Sequence, residues 1–404
     1  MSDVEECFMI KRIYNRWGFT LLITLISTLI FQFSSSWSED FRPKSRQQQE
    51  FVEATVTRSI SNHVAPDPLV PDVMTGKQVF MAKILEGESE GLEVEVTNPL
   101  SRQHNVYVSE GDTFIMMIRE TTNGTVYWAY NHKRSDAIYL MLALFCALLL
   151  SFGKKEGINS MVALYFTAAL IVGVLVPSIF AGWNPMLVSI LLMVVIIVVS
   201  FILVSGYNRK SLCAMGGTLL GVIAAGVMAQ WFGEMAHLSG IYLDKGEDVI
   251  YLTSVKMGIR WLMFVTIVVA ALGAVMDVAI SIASAYAELQ QTDPKLKPKQ
   301  LVRASMNIGR DIMGTMTNTL ILAFAGGSLT TIMMVWGLNM PASQFMNMPL
   351  VGLAVVNALA GSVGIVLTIP FTAFLAPYVF KHPQVDTQPE QEKKKVEQDE
   401  IQLF

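Results

Sequence analysis

Ala-Leu-Gly-Ala-Val-Met-Asp-Val-Ala-Ile-Ser-Ile-Ala-Ser-Ala, residues 271–285, reads as the middle of a membrane helix that carries one carboxylate. Positions 273, 277, 281 and 285 are Gly, Asp, Ser and Ala, so one helical face holds the acid between small residues. A carboxylate at the centre of the hydrocarbon costs about 2.5–3.5 kcal/mol on insertion scales, and Asp277 is therefore expected to face protein or a water path. The small residues above and below it allow a neighbouring helix to come close.

The rest of the chain supports a polytopic membrane protein. Hydrophobic residues make up 52% of the 404 and charged residues 15%, with a mean hydropathy of +0.47. About 20 apolar residues cross a bilayer core as a helix. On that measure the sequence predicts eight spans, at roughly 17–36, 136–152, 158–180, 185–205, 212–234, 257–285, 312–337 and 349–378. The fold class is membrane all-α, with a small external all-β domain inserted after the first helix.

Flanking charge orients the spans. Lys11, Arg12 and Arg16 precede the first; Lys154 and Lys155 follow the second; Arg209 and Lys210 follow the fourth. Lys295, Lys297, Lys299, Arg303 and Arg310 lie between the sixth and seventh, and Lys381 and Lys393 to Lys395 follow the eighth. The alternate loops 181–184 and 338–348 hold no Lys or Arg. This places both termini in the cytoplasm and residues 38–135 outside. The parts are a cytoplasmic N-terminus (1–16), the first helix (17–36), an external β-rich domain with a stalk (37–135), a seven-helix membrane domain (136–380) and a disordered, charged, Gln-rich cytoplasmic tail (381–404). The first helix reads as an anchor; Ser34 to Ser36 after its apolar stretch keep a cleaved signal peptide as the alternative.

In the external domain the hydrophobic period becomes two. Leu92, Val94 and Val96 alternate with Glu93, Glu95 and Thr97; Val126, Trp128 and Tyr130 alternate with Tyr127, Ala129 and Asn131. Strands are also expected at 51–57, 79–85, 105–108 and 113–118, with turns at 87–91 and 109–112. His63, His104 and His132 are isolated, and no catalytic triad spacing occurs.

The formal net charge of −4 points to no nucleic-acid partner. Cys7, Cys146 and Cys213 lie outside the β-rich segment, so no disulfide framework is expected there. No Cys/His cluster calls for a metal, and no cofactor is expected.

The spans differ in character. The fourth is bulky on every face and is expected to be surrounded mostly by lipid. The fifth carries Gly217, Gly221, Ala225, Ala229 and Gly233 at a four-residue spacing. The seventh carries Thr315, Thr319, Ala323, Gly327 and Thr331; the eighth carries Asn357, Gly361 and Gly364, with a kink expected at Pro370. Gly217, Gly221, Gly273, Gly327 and Gly361 are the helix-packing candidates. The last four spans are expected to form one tight bundle with Asp277 inside it, and Asn318, Thr319 and Ser281 beside it as partners in a proton or ion relay. Glu234 and Arg260 are outer-edge ionisable groups that a pair would join. Asp311 reads as a helix cap, preceded by a short interfacial helix over residues near 301–308 that runs straight into the seventh span.

Gly-Ala-Val-Met-Asp-Val-Ala-Ile-Ser-Ile-Ala-Ser-Ala (273–285) and Met-Asn-Ile-Gly-Arg-Asp-Ile-Met-Gly-Thr-Met-Thr-Asn-Thr-Leu-Ile-Leu-Ala (306–323) resemble the hallmark segments of the YibE/F-like family. Gly-Gly-Thr-Leu-Leu-Gly-Val (216–222) and Phe-Gly-Glu-Met-Ala-His-Leu-Ser-Gly (232–240) fit it too, and the resemblance spans about residues 50–380. It implies a multi-spanning protein of the bacterial inner membrane, a family with little assigned biochemistry. A weaker, superfamily-level likeness to half of a SecD/SecF or resistance–nodulation–division protein implies proton-driven work at Asp277. The chain departs from that pattern in its eight spans and its small external domain. Together these readings predict a proton- or ion-coupled transporter or exporter. The alternative is a non-transporting accessory or scaffold whose β-domain binds an envelope partner. No enzyme is expected; the lipid bilayer is the expected surrounding, with an envelope protein or a homo-oligomer as partner.

Overall fold

The computed structural model describes residues 2–38, 49–121, 124–243, 245–252 and 259–380. The expected tail, and residues 39–48 of the expected stalk, lie outside them. The chain forms two compact units, residues 43–154 and the remainder.

The first unit is built on five antiparallel strands: β1 (Gln49–Pro66), β2 (Met74–Ile84), β3 (Glu93–Leu100), β4 (Thr113–Thr121) and β5 (Gly124–His132). Their order in the sheet is β3-β2-β1-β4-β5. The sheet curls into a half-barrel in which β3 approaches β5. Its concave face buries Val52, Ala54, Val56, Phe80, Ala82, Ile84, Val94, Val96, Phe114 and Met116, the residues that alternation predicts. Phe80 and Phe114 meet edge to face at 5.6 Å.

Two expectations change here. Residues 105–108 form no strand. Val106 and Val108 are buried, and side-chain amides replace the missing ladder: Asn98 Nδ2 donates to the Val106 carbonyl (2.7 Å), and Gln78 Nε2 to the Val108 carbonyl (3.0 Å). On β5 the inward residues are Tyr127 and Ala129. Trp128 and Tyr130 face outward, where Tyr130 meets Phe51 at 4.8 Å. A register irregularity between Ile115 and Met116 marks the pairing of β4 with β5.

At one end of the half-barrel Arg102 clamps a loop. Its Nε donates to Asp67 Oδ2 at 2.7 Å and its Nη2 to Oδ1 at 3.0 Å. The Leu69 and Val70 amides also donate to Oδ1. The Arg102 hydrogen bond, then the Leu69 amide, hold the Asp67 carboxyl down at about 2, from an ordinary 3.8. A depressed carboxyl stabilises the folded state above its unfolded value, and that contribution disappears as pH falls through the folded one. We expect the 67–73 loop to stay protected from hydrogen exchange at pH 5 and to lose protection between about pH 4 and pH 2. Arg102→Ala should move that loss upward toward the ordinary carboxylate range; an unchanged midpoint would show that the clamp contributes nothing.

The helices are α1 (Ser2–Ser38), α2 (Ser135–Leu170), α3 (Val176–Phe180), α4 (Pro185–Ser205), α5 (Arg209–Met235), α6 (Gly246–Leu252), α7 (Ile259–Thr292), α8 (Pro298–Gly327), α9 (Leu329–Gly337), α10 (Ala342–Met346) and α11 (Pro349–Val379). Among the described residues, six helical stretches are long and apolar enough to cross a membrane, and a seventh is reached if the bent pair α8 and α9 counts as one. One of the six, Ser135–Phe180, has 46 residues. It is broken at Lys154 (φ 46°, ψ −120°), where the sequence separates its second and third spans. This is the pattern of a multi-pass membrane protein.

Caps explain several helix starts. Asn184 Oδ1 accepts from the Met186 and Leu187 amides ahead of α4, with Pro185 at its first position. Asn208 Oδ1 accepts from the Ser211 amide to open α5. The expected interfacial helix does run straight into the seventh span: both are α8. Asp311 consequently lies in the interior of α8 and is no cap, because the helix already begins at Pro298. Helix α11 carries Pro370 and Pro377 within its length. The expectation that α4 meets mostly lipid leaves room for one packed side, and it has one. Leu192, Met193, Ile196, Ile197, Ser200 and Phe201 are buried, because neighbouring helices cover one side of it.

Candidate functional site

The core of the membrane unit is where α5, α7 and α11 meet, and glycines set its spacing. A methyl group on Gly217 would collide with Thr372 Oγ1, and one on Gly221 with Thr368 Oγ1. At Gly221 the same methyl would also stand 3.0 Å from Val275 Cγ1 and 3.1 Å from the Gly364 carbonyl. A methyl on Gly361 would come within 2.8 Å of Leu320. The fifth-span ridge is therefore buried and close-packed, as its spacing predicts. Gly273 and Gly327, the other two packing candidates, have open space beside them. Their lack of a side chain serves no contact within the described residues.

That difference locates Asp277. Val275, Val278, Ala279 and Ile282 of α7 are buried; Gly273 and Asp277 are exposed. The expectation that Asp277 lies inside the bundle is therefore corrected: its helix turns larger apolar residues toward α5 and α11 and the acid away from them. The seventh-span ridge is corrected with it. Leu301, Ser305 and Gly309 form the buried side of α8, whereas Thr315, Asn318, Thr319 and Ala323 are exposed.

The two helices run antiparallel in a register that close contacts fix. Gly309 of α8 abuts Ile282 of α7, and Gly361 lies against both Leu320 and Ala271. The same register brings Gly314 level with Asp277, and Asn318 level with Gly273. Gly314 is also exposed, with nothing near it. The outward face of α7 and α8 thus carries a carboxylate and a carboxamide, each level with a glycine on the neighbouring helix. The hydroxyls beside them are engaged locally. Ser281 Oγ donates to the Asp277 backbone carbonyl (2.7 Å), and Thr319 Oγ1 to the Thr315 carbonyl (2.8 Å). No side-chain hydrogen bond joins Asp277, Ser281, Asn318 and Thr319 among the described residues.

Glu234 is exposed and accepts from Gln230 Nε2 at 3.3 Å. The expected Glu234–Arg260 pair falls on Arg260, whose side chain lies outside the described residues. No group of three His, Cys, Asp or Glu residues that could hold a metal occurs among the described residues.

Sequence reasoning missed a cavity of about 900 Å³ at the end of the bundle where α11 begins. It opens where α8 and α9 bend by 61° at Ser328. The signal available was Gly326-Gly327-Ser328 within an otherwise apolar run.

No curated protein and no solved structure matches the chain. Nothing in the comparisons supports the likeness to SecD/SecF. The family model described as YibE/F-like protein matches residues 141–382, which takes in the α5, α7, α8 and α11 bundle and leaves the sheet outside. This is a narrower stretch than the sequence resemblance covers. By that match over more than half its length, the chain belongs to the YibE/F-like family.

Proposed function

We propose that the chain is a proton- or ion-coupled transporter or exporter of the bacterial inner membrane, with Asp277 as the titrating group. In this reading it has eight spans, cytoplasmic termini and residues 38–135 outside. The observation that carries it is the outward pair of Asp277 and Asn318 between Gly273 and Gly314. A packing role needs no charge, and a carboxylate turned to lipid costs about 2.5–3.5 kcal/mol near the bilayer centre. Coverage by a second copy of the chain would remove that cost, and the two glycines leave room for its helices. The relay is thereby moved from the bundle interior to an interface. The alternative, an accessory protein binding an envelope partner, draws on the outward aromatic group of Phe51, Trp128 and Tyr130.

Proton flux in proteoliposomes tests the first reading. Asp277→Asn keeps size and hydrogen-bonding capacity but cannot titrate. The variant should fold normally and lose coupled flux by at least about a hundredfold, the lower end of the scale for removing a positioned acid–base group. Undiminished flux or normal cellular function in that variant would leave the accessory reading in front. Orientation is tested by cysteines at Ser89 and Lys297. The two should react with a membrane-impermeant reagent from opposite sides; labelling of both from one side would overturn the topology.

A further inference from the structure

The convex side of the half-barrel carries an apolar group that the relay does not use. Val52, Ala54 and Val56 of β1 fill the concave side, so Phe51, Glu53 and Thr55 point the other way. In register, Phe51 stands beside Met117 of β4, and Met117 beside Trp128 of β5. Tyr130 meets the Phe51 ring at 4.8 Å. Phe51, Trp128 and Tyr130 are 47%, 39% and 44% exposed. The same side is tied to the first turn of α2. Lys133 Nζ stands 3.0 Å from the Glu53 carboxylate and 3.5 Å from that of Asp136. Two residues, Lys133 and Arg134, separate β5 from α2, and the sheet and the first part of α2 belong to one compact unit.

What lies beside this face follows from α2. Residues 136–145 of that helix are all exposed, on every side, and most of them are apolar. A bare apolar helix of this kind is surrounded by lipid, so its first turn marks where hydrocarbon gives way to head groups. Trp and Tyr collect at that boundary, because their rings are apolar and their tips polar. We infer that the convex face of the half-barrel lies on the head-group surface of the membrane that α2 enters, with Phe51, Trp128 and Tyr130 set into it. Lys133 offsets the Glu53 charge next to the rings, which lowers the cost of bringing that edge of the sheet down onto lipid. A protein partner would have to reach the same rings through the head groups around α2. The aromatic group is thereby given to lipid and not to an envelope partner. The inference rests on α2 spanning the bilayer and does not depend on Asp277.

Arg119 is the place to test it. It shares the convex side and stands four positions past Ile115, the partner of Asn131. That is about 13 Å farther from α2 along the strand, so lipid contact there requires the face to lie along the membrane and not merely to hang from α2. The full chain carries Cys7→Ala and Cys146→Ala, keeps the fully buried Cys213, and takes a bimane at Arg119→Cys. It is reconstituted into POPC vesicles that include lipid with a nitroxide on its head group, a short-range quencher of bimane. Ile138→Cys on α2 gives the lipid limit, and Asp72→Cys, exposed beyond the far end of β1, gives the water limit. Quenching at 119 should approach that at 138 and exceed that at 72 by more than about tenfold, the population ratio expected from taking one apolar side chain out of water. Phe51→Ser, Trp128→Ser and Tyr130→Ser together should bring it down to the level at 72. Quenching at 119 no greater than at 72 in the chain with its aromatic group intact overturns the inference whatever the serine variant does, and so does quenching that survives the three serines. A bimane shielded from aqueous iodide but untouched by the nitroxide would give the face to protein, a second copy included, and equally overturn it. Quenching at 138 without quenching at 119 sinks only the docked face. Quenching at neither position sinks the spanning reading of α2 and the docked face with it.

Discussion

Gly221→Leu is expected to leave no folded membrane unit. At this position the backbones of α5 and α11 are so close that a methyl group already overlaps Thr368 Oγ1 and stands 3.1 Å from the Gly364 carbonyl. The carbonyl belongs to a helix backbone and cannot turn away as the end of a side chain can. On the other side Val275 of α7 is 3.0 Å away, so α5 cannot retreat without disturbing the second contact. Overpacking a close-packed core costs typically about 1–3 kcal/mol, and more when backbone must move. Four carbons wedged between two helices should exceed about 3 kcal/mol, a large part of the 5–15 kcal/mol that holds a typical protein together. Gly273→Ala is the control. It lies in open space on α7, and replacing a mid-helix glycine by alanine should be neutral or stabilising by up to about 1 kcal/mol. Size-exclusion profiles and thermal unfolding in detergent check both. Similar behaviour of the two variants would mean that the α5–α11 contact does not organise the unit.

Gln78→Leu should be the most damaging polar substitution in the half-barrel. Gln78 is 4% exposed and serves both backbone groups of Val108: its Nε2 donates to the carbonyl at 3.0 Å and its Oε1 accepts from the amide at 3.3 Å. Asn98 Nδ2 donates to the same Oε1 at 3.2 Å. Leucine would leave the Val108 amide and carbonyl without partners in a buried place. At about 1–3 kcal/mol for each of the two orphaned groups, the loss should reach about 2–6 kcal/mol. Hydrogen exchange should show it first at residues 104–108, before β1 and β2 loosen. Unchanged protection of that segment would mean that water or a neighbouring group replaces the glutamine.

These two positions show what can and cannot be read from a sequence. The fifth-span ridge was legible because close helix approach has one requirement, the absence of Cβ atoms at a four-residue spacing, and Gly217 and Gly221 meet it. The same spacing at Gly273 and Gly327 carries no such contact. Periodicity says which residues share a face; it does not say which neighbour, if any, that face meets. For this reason Asp277 could be assigned to a helix but not to a side of the bundle. In the sheet, 105–108 looked like a strand because Val106 and Val108 alternate and are buried. What distinguishes them is the partner, two side-chain amides 30 and 8 positions away along the chain, and hydrophobic alternation contains no record of that. The cavity depends on a bend at one residue, Ser328, inside a run whose composition is apolar on both sides.

The way α1 meets the rest of its unit bears on how the chain is made. Thr20 Oγ1 donates to Asn159 Oδ1 at 3.0 Å, across 139 positions of sequence. Phe31 stacks with Tyr165 at 5.6 Å, and Ile30 fits against Gly173. At about 5–20 residues per second, a ribosome needs on the order of ten seconds to supply those partners after α1 has emerged. Through that interval α1 is without them. Its hydroxyls are arranged for waiting: Thr24 donates to the Thr20 carbonyl, Ser27 to Ile23 and Thr28 to Thr24, each within its own helix. An early-born helix that meets most of its polar demands by itself has little left to satisfy until the later helix arrives, when Thr20 meets Asn159 and the Thr28 hydroxyl comes to 3.5 Å from that of Tyr165.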